Sequence, residues 1–246
     1  MNVNSTVRDQ PIFGVIIPLP EESIYLKKML SNQENINISG VNYIIGKINE
    51  KKVVLVISGL GKVNSSIIAS RLVGDFHPTL ILLSGSSGNI NPHIKKGDVV
   101  IGKNIINADL GELTENGTKF QFSEYLNNPQ TNTDLPLQFN LNNELINFMT
   151  SLGKNHFPKI ILGKIATSDA LPNQESQIKL LYKLGIDVVE MEGASVMQTC
   201  WMFNTRCIVI RGVSNNAQES FTQQDINLAA DNATKTVVNI IENFKD

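Results

Sequence analysis

The chain has 246 residues, of which 41% are hydrophobic and 18% charged, and its formal net charge is -2. This length supports one sizeable hydrophobic core, and a single α/β domain can extend this far. The chain has no overall basic charge of the kind that favours binding to nucleic acid, and it has no apolar run that approaches the roughly 18 residues needed to span a membrane. Neither nucleic acid nor a membrane is therefore predicted as a partner.

Apolar, β-branched runs alternate with helical patterns along the chain, beginning after a polar N-terminal tail at 1–11. Strands are predicted at 13–19, 41–48, 53–58, 80–84, 98–102, 160–166, 187–190 and 207–213. Helices are predicted at 21–30, 63–73, 142–152, 174–184, 193–203 and 226–244. The pattern predicts one α/β domain over 1–246, with a central mixed sheet between layers of helices.

Four further features complete this outline. Residues 113–137 are polar throughout, which predicts a long surface excursion of the kind that can cover a site. Cys200 and Cys207 lie in apolar runs, which predicts buried thiols without a disulfide framework. The histidines are not spaced as metal ligands, so no metal is expected. The tail lacks the apolar core of a signal peptide, which predicts a cytoplasmic location.

Small and polar residues follow two of the predicted strands. Residues 84–89 read SGSSGN, which suits either a tight turn or the close approach of backbone to a ligand; from these residues alone, the turn is favoured. Ser214 and Asn215 follow the last strand. An amide there can donate and accept hydrogen bonds and so suits a purine edge, although an Asn-rich turn explains it equally.

Charged residues also stand where burial is expected. Glu190 and Glu192 closely follow a predicted strand, and an ionised carboxylate can accept two hydrogen bonds from the vicinal hydroxyls of a sugar. The alternative is a pair of solvated residues at the strand edge. Arg211 interrupts an apolar run and therefore needs an anionic partner, for which Glu192 is a candidate. Glu22 opens a helix, where the helix dipole alone would favour it.

Residues 58–64 read SGLGKVN and join a strand to a helix. The glycine spacing does not fit a P-loop, and no third glycine completes a dinucleotide fingerprint. Taken in order, these segments resemble the nucleoside phosphorylase/nucleosidase superfamily, and within it the methylthioadenosine/S-adenosylhomocysteine nucleosidases. The resemblance extends from 13 to 244, except for 113–137, and its most specific parts are 58–64 and 189–193.

The resemblance implies roles for the sugar side of a site that hydrolyses an N-glycosidic bond. It assigns water activation to Glu22 and a hydroxyl near the ribose and the water to Ser86. Met191 and Glu192 would clamp the ribose, with Glu190 beside them. Arg211 would orient the ribose-binding carboxylate.

The resemblance also implies how the base is held. The purine would meet the loop 168–172, with Leu171 against the ring and the Pro172 backbone at its edge, while Phe221 would stack on it. Ser214, which precedes Asn215, is a further candidate for binding the substrate. It implies a homodimer whose neighbouring subunit helps to close the site, and no cofactor.

One residue departs from the pattern of that branch, in which an aspartate following the serine protonates purine N7. Here the residue is Asn215, an amide that donates hydrogen bonds but is a very poor acid. Three consequences stay open: a 6-oxopurine substrate, as in the related futalosine hydrolases; slow turnover of adenine nucleosides; or binding without turnover.

Phosphorolysis is the remaining alternative. Phosphorylases of the superfamily hold phosphate with several arginines, whereas this chain has four in all. Arg8 lies in the polar tail, Arg71 in a helix and Arg211 in the ribose site, and Leu83 stands where a phosphate arginine is expected. Hydrolysis is therefore predicted.

Overall fold

The computed structural model describes residues 10–114, 117–119, 127–128, 130–153, 158–216 and 219–245. Most of the predicted N-terminal tail lies outside these residues. So does part of the predicted excursion at 113–137; its described portions are short strands and turns.

The elements follow one another as an alternation of strands and helices. The first half contains β1 (Ile12–Ile17), a 3₁₀ helix (Pro20–Ser23), α1 (Ile24–Met29), β2 (Ser31–Ile38), β3 (Val41–Ile48), β4 (Lys51–Ile57), α2 (Lys62–Phe76), β5 (Leu80–Asn89) and β6 (Val99–Asn107). Short strands follow: β7 (Glu112–Thr114), β8 (Gly117–Lys119), β9 (Asn127–Asn128), β10 (Thr133–Asp134) and β11 (Gln138–Asn140). The second half contains α3 (Asn143–Gly153), β12 (Ile160–Thr167), α4 (Glu175–Lys183), β13 (Val188–Glu190), α5 (Gly193–Met202), β14 (Arg206–Asn216) and α6 (Gln223–Asn243).

The main sheet is mixed, as predicted. Its strands run in the order β11-β6-β12-β13-β5-β1-β4-β3-β2, and β14 pairs with both β5 and β6. Strands β5, β14, β6, β12 and β13 therefore form a closed circuit. Within it β5–β14, β6–β12 and β12–β13 are parallel, while β14–β6 and β13–β5 are antiparallel.

Helices cover the sheet on both faces and create two main cores. Phe13, Val15 and Ile17 of β1 pack with α1, α3 and α6, whereas Ile16 packs with α2 and α5. This division follows from the alternation of side chains along a strand. The predicted three-layer α/β fold is confirmed. Cys200 and Cys207 are both buried and not disulfide-bonded, also as predicted.

Several predicted boundaries were wrong, for physical reasons. Strand β2 was missed because its sequence, SNQENINI, is polar and largely exposed at the sheet edge. Residues 84–89 are not a tight turn: β5 continues through Asn89, pairing with β13 on one side and β14 on the other. The last strand likewise continues through Asn216 rather than ending at 213. The helix predicted from 21 begins as a 3₁₀ helix, with α1 itself starting at Ile24.

Close packing of α6 on β14 fixes the chain that leads into the predicted site. A Cβ added to Gly212 would lie 1.9 Å from the carbonyl oxygen of Ala229, so this approach requires glycine. Helix α6 begins with a capping box between Thr222 and Asp225. Among the described residues, none of the helices is long and apolar enough to cross a membrane.

Candidate active site

A cavity of about 530 Å³ opens where β1, β5 and β14 end and where β13 meets the end of β5. Parallel strands bring their carboxyl ends to one edge of a sheet, where ligands bind in α/β folds. All the predicted site residues line this cavity: Glu22, Ser86, Leu171, Pro172, Glu190, Met191, Glu192, Arg211, Ser214, Asn215 and Phe221. The sequence analysis assigned no individual role to the other lining residues, four of which lie in the segments 58–64, 84–89 and 189–193 that it singled out: Pro18, Leu19, Leu60, Ser87, Gly88, Asn173, Val189, Glu219, Ser220 and Ile226.

Arg211 lies at the centre of the charged wall and is only 1% exposed. Its Nη2 contacts Glu190 Oε2 and lies 3.0 Å from Glu192 Oε2, so the guanidinium pairs with both carboxylates and not with Glu192 alone. Burial disfavours its charge, but Glu190, Glu192 and Glu22 outweigh that effect and raise the pKa of Arg211. The guanidinium therefore remains protonated.

Glu190 is fully engaged by the protein. Its Oε1 accepts hydrogen bonds from the Thr167 hydroxyl and from the Gly193 backbone N–H at 2.9 Å. Its Oε2 accepts from the backbone N–H groups of Glu192 and Gly193 at 2.9 and 2.7 Å, as well as from Arg211. These bonds satisfy the N-terminus of α5, where negative charge is favourable. Glu190 thus holds the first turn of α5 in place.

Glu192 is the adjoining carboxylate, and its geometry differs. Its Oε1 accepts a hydrogen bond from the Gly61 backbone N–H at 2.8 Å, and its Oε2 faces Arg211. Burial raises the pKa of Glu192 above its ordinary value, while Arg211 opposes that shift. Each oxygen accepts one of these bonds, which leaves lone pairs that can accept hydrogen bonds from a diol.

Glu22 faces the same cavity from the 3₁₀ helix. Its Oε1 accepts hydrogen bonds from the Ser86 N–H at 2.9 Å and the Ser86 hydroxyl at 2.7 Å. Its Oε2 is buried and accepts no hydrogen bond from the described part of the chain. A Cβ on Gly85 would lie 2.6 Å from Arg211 Nη1 and 3.2 Å from Glu22 Oε2, so glycine keeps this space open. A rigidly held carboxylate with one available oxygen is suited to accept a proton.

Asn215 and Ser214 form the opposite wall. The Ser214 hydroxyl lies 2.8 Å from Asn215 Oδ1 and 3.0 Å from the Ser87 carbonyl oxygen. Asn215 Nδ2 donates to the Glu219 carbonyl oxygen at 3.1 Å. Because Oδ1 accepts from Ser214, the amide presents its N–H₂ group as the donor.

Two apolar side chains stand at the mouth of the cavity. Leu171 is 53% exposed and Phe221 is 57% exposed, and both line it. A planar apolar ligand between them would remove both surfaces from water. Within the described ranges, no group of three or more His, Cys, Asp or Glu side chains is arranged to hold a metal ion.

The supporting residues that sequence reasoning missed act mainly through backbone groups or short hydroxyls. Thr167 donates to Glu190 and accepts from the Ala194 N–H at 2.7 Å, which joins β12 to α5. The Gly61 N–H fixes Glu192. A backbone N–H donor cannot be recognised from the residue type, although the glycine spacing at 58–64 indicated that this turn was of interest.

Comparisons with known proteins show which proteins the whole chain is similar to. A family model, the phosphorylase superfamily, matches residues 12–244. The 5′-methylthioadenosine/S-adenosylhomocysteine nucleosidase of Buchnera aphidicola is 31% identical over 240 residues, covering 95% of this chain and 98% of that protein. The corresponding nucleosidase of Oceanobacillus iheyensis is 28% identical over 234 residues, covering 93% and 98%.

Solved structures give the same picture. The crystal structure of a 5′-methylthioadenosine/S-adenosylhomocysteine nucleosidase from Neisseria meningitidis, in complex with methylthio-immucillin-A, matches with a TM-score of 0.82. The two sequences are 26% identical, and the match covers 95% of this chain and 99% of that one.

Proposed function

Because the chain belongs to the phosphorylase superfamily, and within it to the 5′-methylthioadenosine/S-adenosylhomocysteine nucleosidases, we propose that it hydrolyses the N-glycosidic bond of these nucleosides and releases adenine. The observation that carries this proposal is the Glu22 carboxylate. Ser86 fixes one of its oxygens, and the other is buried at the cavity without a partner among the described residues.

The charges of the cavity suit such a reaction. Breaking the bond between the sugar and the base builds positive charge on the sugar. Glu22, Glu190 and Glu192 place three carboxylates around one guanidinium, so the described wall carries a surplus of negative charge next to that position. Preorganised charge of this kind stabilises the transition state.

In this mechanism Glu22 Oε2 accepts a proton from water as the water oxygen bonds to the anomeric carbon and the bond from that carbon to the purine nitrogen breaks. The base leaves with the bonding electrons and takes up a proton from solvent water. Glu192 accepts hydrogen bonds from the ribose hydroxyls and fixes the sugar. Glu190 acts as a positioning residue and not as a direct ribose ligand, because both its oxygens are taken by protein donors. Leu171 and Phe221 enclose the base.

Hydrolysis is favoured over phosphorolysis by the same contacts. Phosphate would need cationic partners, and within the described lining the single cation is Arg211, which is already paired with two carboxylates. A phosphate placed beside it would face the charges of Glu190 and Glu192.

Asn215 supports a second candidate, a 6-oxopurine nucleosidase. Its Nδ2 group is a hydrogen-bond donor that suits the N7 or the O6 acceptor of a 6-oxopurine, but it cannot transfer a proton to the leaving base. With an adenine nucleoside, it would stabilise the leaving base by hydrogen bonding alone.

A base-release assay without phosphate tests both candidates. The protein is expected to release adenine from methylthioadenosine and S-adenosylhomocysteine in preference to hypoxanthine from inosine or futalosine. Asn215→Asp is expected to raise kcat for adenine release by about tenfold to a hundredfold, because an acid then protonates N7. Asn173→Asp is the control, since it adds a carboxylate to the same cavity wall.

Hypoxanthine release would instead assign the chain to the 6-oxopurine nucleosidases. A strict requirement for phosphate would make it a phosphorylase. If the parent chain binds nucleoside but turns nothing over, and Asn215→Asp gains activity, the chain is a binding protein on an enzyme fold.

We also propose a homodimer formed through α2. Val63 and Ile67, one helical turn apart, are 70% and 56% exposed, and Leu60 beside them lines the cavity. Such an apolar stripe at the rim of a site is typical of an interface. Sedimentation equilibrium is expected to give a dimer for the parent chain and a monomer for Val63→Glu. Leu184→Glu, an equally drastic change at another exposed site, should remain dimeric; a monomeric parent would refute the proposal.

A further inference from the structure

A second charged cluster lies behind the cavity and is not used by the mechanism above. Lys62 is the first residue of α2, and its ammonium contacts the Asp109 carboxylate. The same Nζ lies 3.3 Å from Asn107 Oδ1 and 3.5 Å from Asp169 Oδ2. One lysine therefore connects the end of β6 to the loop 168–172.

Helix geometry alone does not favour a lysine at this position. The N-terminus of a helix carries partial positive charge, so a cation in the first turn is unfavourable. Asp109 supplies the compensating charge. Burial alone would raise the pKa of Asp109. The hydrogen bonds from Lys62, from the Asp169 N–H and from Ser168 outweigh this effect, so the pKa of Asp109 is lowered overall. Asp109 is thus ionised at neutral pH.

The cluster holds the loop 168–172 by its first two residues. Asp109 Oδ2 accepts a hydrogen bond from the Asp169 N–H at 2.9 Å and lies 3.2 Å from Ser168 Oγ. The Lys62 N–H donates to Asp169 Oδ1 at 3.1 Å. Leu171, which lines the cavity, comes two residues after Asp169. The position of its side chain over the base therefore depends on these hydrogen bonds.

The turn at Gly61 and Lys62 also holds the part of the site that would bind the ribose. The Gly61 N–H donates to Glu192 at 2.8 Å, and the next amide along the chain, that of Lys62, donates to Asp169. Gly61 has a φ of +89°, a conformation that favours glycine, and the two neighbouring donors reach Glu192 on one side and Asp169 on the other. A displacement of this turn would move the sugar contact and the base contact together.

We propose that Lys62 and Asp109 are positioning residues that set the loop 168–172 over the purine and couple it to the Glu192 side of the site. The proposal rests on the nucleosidase function proposed above. The loop encloses the base in the ground state and in the transition state alike, so loosening it removes binding that is common to both. Such a loss raises KM and leaves kcat nearly unchanged.

Two single variants and their combination test this. Lys62→Met and Asp109→Asn are each expected to raise KM for methylthioadenosine about tenfold, with kcat within about twofold of the parent. The double variant should show little further increase, because both changes break one interaction. Arg71→Met is the matched control: it removes another cation from α2, one paired with Asp75 away from the cavity, and should leave KM unchanged.

Hydrogen exchange measured by mass spectrometry reads the loop directly. Peptides that contain Ser168 and Asp169 should exchange faster in Lys62→Met and Asp109→Asn, and at the parent rate in Arg71→Met. The proposal would be overturned if both variants kept the KM of the parent and the parent rate of hydrogen exchange in the loop. It would also be overturned if kcat fell at constant KM in proportion to a smaller fraction of folded protein. If the parent releases no adenine, the proposed function fails, while loop exchange and the Kd of added adenine still decide the role of the cluster.

Discussion

Replacing Glu22 with glutamine is expected to lower kcat for adenine release by a factor of about 10² to 10⁴, the usual contribution of a general base. Glutamine has nearly the same shape and can still accept the hydrogen bonds from Ser86 through its carbonyl oxygen. It cannot take a proton from water. The loss should therefore appear in kcat, with little change in the free energy of unfolding.

Glu21→Gln is the matched control for this experiment. Glu21 precedes Glu22 in the same 3₁₀ helix but is exposed and does not line the cavity. The control should retain the kcat of the parent chain. If Glu22→Gln also stays within about threefold of the parent, Glu22 does not activate the water, and the central step of the mechanism is wrong.

The position of Glu22 illustrates what the sequence could and could not provide. Its place after the first strand left two explanations open, the helix dipole and a role at a site, and the resemblance to the nucleosidases assigned it the second. Every residue for which the sequence analysis proposed a role in binding or catalysis lines the same cavity. They meet there because the parallel strands β1, β5 and β14 bring their carboxyl ends to one edge of the sheet, whatever the details of their predicted boundaries.

The division of work among the acidic residues could not be predicted. Glu190 and Glu192 are two residues apart and chemically identical, and sequence reasoning placed both at the substrate. The structure shows Glu190 saturated by Thr167, Arg211 and the first turn of α5, whereas Glu192 accepts one bond at each oxygen. Most of these donors are backbone N–H groups, which every residue but proline carries, so residue types do not reveal them.

Some strand boundaries were predicted wrongly for a related reason. Residues 84–89 are small and polar, a composition typical of turns, yet they remain in β5 because β13 and β14 pair with them from either side. The polar strand β2 is likewise supported by its pairing with β3 and not by an alternation of its own. In both β5 and β2, pairing with neighbouring strands outweighed the local conformational preference of the residues.

Arg211→Met is expected to reduce the free energy of unfolding by about 3–5 kcal/mol, the cost of leaving buried charges without their partner. Glu190 and Glu192 are 3% and 2% exposed and both contact this guanidinium. Methionine fills much of the same volume, so the loss should come from the uncompensated carboxylates rather than from a cavity. Urea denaturation at neutral pH measures it.

The pH dependence of that loss identifies its origin. Burial already raises the pKa of Glu192, and Arg211 opposes that shift, so without Arg211 the folded-state pKa of Glu192 should rise further above its unfolded value. A carboxylate with a raised folded-state pKa destabilises the fold as pH rises through that pKa, and protonation relieves this cost at lower pH. The stability difference between Arg211→Met and the parent should therefore be smaller near about pH 5 than near about pH 8.

Two further variants separate charge from shape. The triple variant Arg211→Met, Glu190→Gln and Glu192→Gln removes all three charges and should recover most of the lost stability while remaining inactive, because neutral groups replace a buried ion cluster at little cost. Arg71→Met removes a half-exposed arginine paired with Asp75 and should cost no more than about 1 kcal/mol. If Arg211→Met loses as little as that control, Glu190 and Glu192 are not both ionised in the native protein. Negative charge would then not be the means by which this cavity stabilises a cationic sugar.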